Sequence, residues 1–306
     1  MKGRYSEIWQ YFRKDTIACL GLAVLAMLIL VAILGKVFTE WLVIFNPAEV
    51  RLMDKLLPPL SQVSASLPEI QRPVFGLYLL GTDDLGRDIL ARMLQGSFVS
   101  LSIGLVAMAI AVLVGVLVGA TAGFYGNRKL GPVSIDTLLM RMTDVFLCFP
   151  SFFLILTVVA LLPASVYYIM VVLGLTSWMG IARFVRAEFL SLRQRDFVLA
   201  AIASGIPDRR LIFIHVLPNA LAPILVSATI SVATAILTES ALSFLGFGVQ
   251  PPDATWGNIL ADGKNYIFDA PWMFFIPGAA IFIIVLAFNL VGEGLREASH
   301  PRLRRR

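Results

Sequence analysis

Charge is scarce in this chain: only 15% of its 306 residues are Asp, Glu, Lys or Arg, against 58% hydrophobic. Soluble domains carry about 25% charged residues, so a water-soluble globule is excluded and lipid is the expected solvent. Histidine and cysteine are scarcer still. His215 and His300, with Cys19 and Cys148, show no metal-ligand spacing. Both cysteines fall in apolar runs and read as small packing residues. No paired carboxylates stand at a catalytic spacing within an apolar run. The nearest approach to a phosphate loop, 257–265, puts five residues between its glycines where four are needed, and Asn265 stands where Ser or Thr should follow Lys264. The chain is therefore expected to hold no catalytic group, metal or nucleotide.

What is abundant is uninterrupted apolar sequence. A span needs about 20 such residues, and the runs 17–35, 93–127, 220–238 and 270–292 each supply one. The run 145–182 is twice as long and breaks at Leu162-Pro163-Ala164-Ser165, so it supplies two. The expected fold is an all-α integral membrane protein with six transmembrane helices. Most of the basic residues then fall on the side of both termini, which predicts a cytoplasmic N- and C-terminus. The net charge of +5 is that bias, not a nucleic-acid footprint. The first run is longer than a signal-peptide core and lacks a small-residue cleavage site, so it reads as an uncleaved anchor.

Residues 1–80 form an N-terminal unit of basic tail, first span and a Pro- and Ser-rich outer loop; 81–306 form the core. At the junction, Thr82 or Asp83 is expected to cap a surface helix bearing Leu85, Ile89 and Met93, with Asp88 and Arg92 paired four apart. In the second span Ala107, Ala111, Gly115, Gly119 and Gly123 recur every fourth residue. That stripe lets another backbone approach closely, from this chain or from a second subunit. Pro150 is expected to bend the third span. Ionisable groups at membrane depth attract functional suspicion: Glu239, Asp144 and Arg141 are candidates for lining a translocation path, with Arg141 equally able to pair with a neighbouring acid. Trp256, Tyr266 and Trp272 suit the lipid–water boundary or the mouth of a path.

Between the fourth and fifth spans lies a basic segment, about 190–219. Phe197 to Ser204 can form a short helix ended by Gly205, and Pro207 can open a second one running to about Ile214. Ala200, Ala201 and Gly205 are nearly bare, so another protein can come close there. A hairpin resting on lipid headgroups fits these facts as well.

This segment resembles the Glu-Ala-Ala loop of permease subunits of binding-protein-dependent ABC importers. Ala200, Ala201, Gly205, Leu217 and Pro218 match in register; Leu199 replaces the usual Glu and His215 the usual Ile. His215 to Asn219 is similar to the peptide/nickel branch. The C-type subunit of that branch is matched by Gly81-Thr82-Asp83 with Gly86-Arg87-Asp88, by Met140 to Asp144 with Pro150, by Ser243 to Pro252 with Trp256-Gly257, and by Asn289 to Gly292. The resemblance implies a MetI-like permease core with an extra N-terminal helix and outer loop. It implies an ATPase-coupling loop comprising Phe197, Leu199, Ala200, Ala201, Gly205, Pro207, Asp208, Arg209, His215, Leu217 and Pro218. It further implies a homologous second permease subunit, two cytoplasmic ATP-binding subunits that hold ATP and Mg, and an extracytoplasmic solute-binding protein. The membrane would be a bacterial or archaeal inner membrane and the cargo a di- or oligopeptide, with nickel or another small solute as the alternative. An ion-driven transporter would carry its carboxylates deeper in the bilayer.

Overall fold

The structure, a computed structural model, describes residues 8–65, 67, 68 and 72–299. The helices that organise them are α1 Thr16–Trp41, α2 Ile89–Tyr125, α3 Ile135–Leu147, α4 Ser151–Leu161, α5 Val166–Arg193, α6 Asp196–Ala203, α7 Asp208–Phe244, α8 Trp256–Gly263 and α9 Trp272–Ser299. Two small hairpins join them: β1 Ser61–Gln62 with β2 Leu77–Tyr78, and β3 Lys129–Leu130 with β4 Val133–Ser134. Five helices are long and apolar enough to cross a membrane, or six spans if the bent pair α3–α4 is counted as one.

α1 starts where the Asp15 carboxylate accepts the amides of Ile17 and Ala18, two donors a first turn would otherwise leave unpaired. Its Gly21 lies against α9, where a Cβ would come within 2.9 Å of the Leu290 Cβ. α2 runs 37 residues without interruption. At 1.5 Å per residue that is about 55 Å, well beyond a hydrocarbon core of about 30 Å, so it projects from the bilayer.

The junction before α2 differs from the sequence expectation. The helix begins at Ile89 and its cap is Asp88, which accepts the Leu90 amide; Thr82 and Asp83 do not cap it. Gly81 and Gly86 both sit at positive φ, and the Arg51 backbone occupies the space a Cβ on Gly86 would need. The chain therefore turns tightly through 81–88 instead of starting a surface helix.

The third span also starts earlier than its apolar run. α3 is capped by Ser134 and breaks after Leu147, and α4 leaves at 77° to it. Pro150 sits at the break, as the cap of α4, where it offers no N–H to carry the first helix on. Neither Asp136 nor Asp144 pairs with Arg141. Asp136 takes a two-pronged contact from Arg186, and Asp144 pairs with Arg183, both arginines being on α5. Arg141 forms no ion pair among the described residues.

α7 also departs from the sequence expectation. Pro207 does open a helix, but that helix does not stop near Ile214: it continues to Phe244 as one rod. Leu211–Val216 takes the wider π register just ahead of Pro218. A regular turn would drive the proline ring into the Ile214 carbonyl, and the widened turn relieves this. The Asn219 side-chain amide donates to the His215 carbonyl at 2.6 Å.

The small-residue stripe of α2 is filled from within the chain. A Cβ on Gly115 would lie 2.7 Å from the Ile181 Cβ, and one on Gly123 2.7 Å from the Phe189 Cβ. Gly119 meets the Ala182 carbonyl, and Ala111 is buried in the same seam. The stripe is thus a packing surface for α5, not a surface offered to another subunit. Enlarging Gly119 to Leu should cost about 1–3 kcal/mol by overpacking, whereas Gly180→Ala, with open space around it, should change stability little. Thermal unfolding of the two purified variants in detergent checks this; equal midpoints would contradict the close approach.

Candidate functional site

On the face reached by the ends of α2 and α5, one short helix stands out. Arg193, the last residue of α5, donates to the Phe124 carbonyl at 2.7 Å and lies over the Phe124 ring. That contact satisfies one of the orphan acceptors at the end of α2. α6 follows, with Asp196 in its first turn where a negative charge suits the helix dipole. Its end is a Schellman motif: Gly205 at φ +76°, with the Gly205 amide donating to Ile202 and the Ile206 amide to Ala201.

α6 has two faces. Val198 and Ala201 pack against Val185, Phe189, Leu211 and Val216. Phe197, Leu199 and Ile202 point away and are each 43–50% exposed. The bare ledge expected from Ala200, Ala201 and Gly205 is therefore divided: Ala201 is in the core, while Ala200 and Gly205 are open. A Cβ on Gly205 would meet nothing within 4 Å. Leu199 edges a 400 Å³ cavity it shares with Asp136, Arg193 and Gln194. Pro207 sits at the cap of α7, and Asp208 is held by Arg128 at 2.6 Å, tying the start of α7 to the end of α2. Arg209 is exposed, His215, Leu217 and Pro218 are half-buried, and Phe213 and Ile214 add exposed apolar surface.

The opposite face carries a polar lock that sequence reading missed. Asp83 is fully buried and receives Arg87 Nε at 2.6 Å and Arg92 Nη1 at 2.7 Å, plus the amides of Leu85 and Arg87. Arg92 also reaches Asp262 on α8 at 2.9 Å. Thr82 donates to the Asp54 carbonyl and accepts the Leu57 amide, and Trp272 donates to the Thr82 carbonyl. Tyr78 donates to Asp54 at 2.7 Å; burial and that carboxylate push its hydroxyl well above the usual tyrosine range. The Gly81-Thr82-Asp83 motif thus joins the outer loop, α2, α8 and α9. The Asp83/Arg87 spacing of four was the one signal of it in the sequence.

Glu239 is wholly buried. Ser243 and Thr255 donate to its Oε1 at 2.8 and 2.9 Å, and Thr255 also opens α8 in a capping box with Asn258. Gly257 makes room for it: a Cβ there would lie 3.1 Å from Glu239 Oε2. Glu239 therefore clamps α7 to α8 and does not line an open path. Nothing brings it together with Asp144 or Arg141, which lie on α3. No group able to hold a metal ion occurs among the described residues.

Residues 115–305 match the family described as binding-protein-dependent transport system inner membrane component, and residues 3–59 match the N-terminal transmembrane domain of oligopeptide transport permease C. The chain is 36% identical to the dipeptide transport system permease protein of Alkalihalophilus pseudofirmus, covering 98% of this chain and 90% of that one. It is 38% identical to the di/tripeptide transport system permease protein of Pseudomonas aeruginosa, covering 97% and 92%. It is 35% identical to the oligopeptide transport system permease protein of Bacillus subtilis, covering 96% and 88%.

Two outcomes follow from this geometry. Glu239→Leu leaves the Ser243 and Thr255 hydroxyls without their acceptor and should cost about 1–3 kcal/mol, with Glu239→Gln milder because an acceptor oxygen remains. Unfolding midpoints rank the two; equal midpoints would remove the clamp. The second concerns Asp88. Burial raises its carboxyl above the ordinary range, outweighing the amide bonds at the helix start. The folded chain then holds this proton more tightly than the unfolded one, so the associated stability is present at low pH and declines as pH rises from about 4 through the raised value. Asp88→Asn keeps a good cap and should flatten that decline, as read from unfolding midpoints across pH.

Proposed function

The chain belongs to the family of binding-protein-dependent transport system inner membrane components, and from that membership we propose that it is half of a peptide-import channel worked by separate ATPases. Di- and oligopeptides are the proposed cargo because the similar permeases named above carry those substrates in their names. The proposed assembly adds a homologous permease subunit, two cytoplasmic ATP-binding subunits and an extracytoplasmic solute-binding protein. ATP and Mg belong to the ATP-binding subunits in this reading. The basic bias supports placing both termini, and with them α6, on the cytoplasmic side.

The observation that carries the reading is the exposed apolar face of α6. Phe197, Leu199 and Ile202 project from a helix whose other face is anchored in the core. An ATPase surface gripping those side chains would move α6 together with α7, since Val198 and Ala201 pack on the first turns of α7. Arg128 and Asp208 carry the motion to α2. Closure of the ATP-binding subunits would then become a tilt of α7 within the bundle, a rigid-body switch between two openings. Leu199 gives the grip an apolar contact where a carboxylate is usual in the loops it resembles.

In the assembled transporter, Gly205→Glu should lower peptide uptake and peptide-stimulated ATP hydrolysis by about tenfold or more, because it puts an unpaired charge into a closing interface. Gly205→Asn tolerates the left-handed backbone and should retain most activity, which separates bulk and charge from backbone strain. Normal coupled hydrolysis in the Glu variant would dismiss the docking role of this loop.

A further inference from the structure

At the C-terminal end of α1 the structure holds a cavity of 330 Å³ between the 43–51 segment, residues 72–74 and the first turn of α2. Its polar lining is Asn46, Glu49, Arg51, Arg72 and Asp88. Among the described residues, two guanidiniums and two carboxylates line this small space, and their formal charges cancel. Arg51 and Asp88 are each only 5% exposed. Arg51 pairs with Glu49 at 2.8 Å, which fixes both groups at the wall. Arg72 donates through Nε to the Leu67 carbonyl, and a guanidinium has five N–H donors to distribute.

The surroundings are those of a membrane boundary. Trp41 is 75% exposed at the last turn of the span, the place where an aromatic ring suits the headgroup level. Leu42, Val43 and Ile44 continue that exposed apolar surface to the rim of the cavity, and Val74 faces it from the other side. Val43 holds φ at +48°. A β-branched residue enters that region only at a cost, and such strain gathers at sites with a task.

We propose that this cavity binds the headgroup of a zwitterionic aminophospholipid. The phosphodiester lies against Arg72 and Arg51, and the primary ammonium against Glu49 and Asp88. The acyl chains leave over Val43, Ile44 and Val74 into the bilayer. The balanced lining is the selective element: an anionic lipid would leave the two carboxylates facing a neutral or negative group. A volume at the small end of ligand sites fits a headgroup and not a larger solute. The site is separate from α6 and from the Glu239 clamp, so it stands or falls independently of the transport reading.

The test uses the full-length chain purified in detergent, with retained lipid measured by nondenaturing mass spectrometry. Phosphatidylethanolamine should be retained over phosphatidylglycerol and over phosphatidylcholine at equal mole fraction. Phosphatidylcholine keeps the phosphate but cannot donate hydrogen bonds from its ammonium. Arg72→Gln, a change at an exposed residue, and Glu49→Gln should each reduce retained phosphatidylethanolamine about tenfold, the worth of one charge-assisted hydrogen bond. Lys129→Gln, exposed in the β3–β4 hairpin on the far face, should not change it. Equal retention of the three lipids by the unaltered chain overturns the proposal, as does undiminished retention in both cavity variants. Displacement of the lipid by dialanine would assign the cavity to a peptide, and displacement by inorganic phosphate alone would reduce it to an anion site; either result overturns the lipid assignment.

Discussion

The architecture depends on how closely α2 and α5 approach. Lipid tails are as apolar as leucine, so burying apolar surface does not by itself drive helices together in a bilayer. What remains is contact between surfaces that fit. Gly115, Gly119 and Gly123 remove the side chains that would hold α5 away, and Ile181, Ala182 and Phe189 occupy the space. Everything on the α6 side follows from that seam. It fixes where Arg193 emerges, which brings the guanidinium onto the end of α2 and sets the starting point and direction of α6.

The spans were legible because apolar length and proline breaks are local properties. The break at 162–165, the bend at Pro150 and the stop at Gly205 were all readable from neighbouring residues. The polar contacts were not. Arg186 finds Asp136 fifty residues away and Arg87 finds Asp262 at a separation of 175, so closeness in sequence was a poor guide: Asp144, three places from Arg141, pairs with Arg183 instead. The π turn at Leu211–Val216 was hidden for a different reason. Pro218 reads as a helix boundary in isolation, and only a long helix packed on both sides has cause to widen and continue through it.

Glu239 shows the same limit at a single residue. A lone carboxylate in an apolar run suggests function, yet Ser243 one turn along already offered it a hydroxyl, and Thr255 arrives through the fold of the 246–255 segment. Its burial joins α7 to α8 on one face, as Asp83 joins the outer loop to α2 and α8. Ionised or polar side chains here fasten elements to each other at the bundle's edges, while the interior relies on shape. The exposed apolar groups of α6 stand apart from both patterns, because no described residue covers them.

The unbroken length of α2 has a mechanical consequence. One face anchors it through Arg92, the other through the carbonyl of Phe124. An α-helix hardly stretches or shortens along its axis, so the two faces are kept a constant distance apart, as by a strut. A displacement applied at one side cannot reach the other as compression. It has to travel as rotation or lean about that strut, and the gearing is then set by where the strut's ends are pinned.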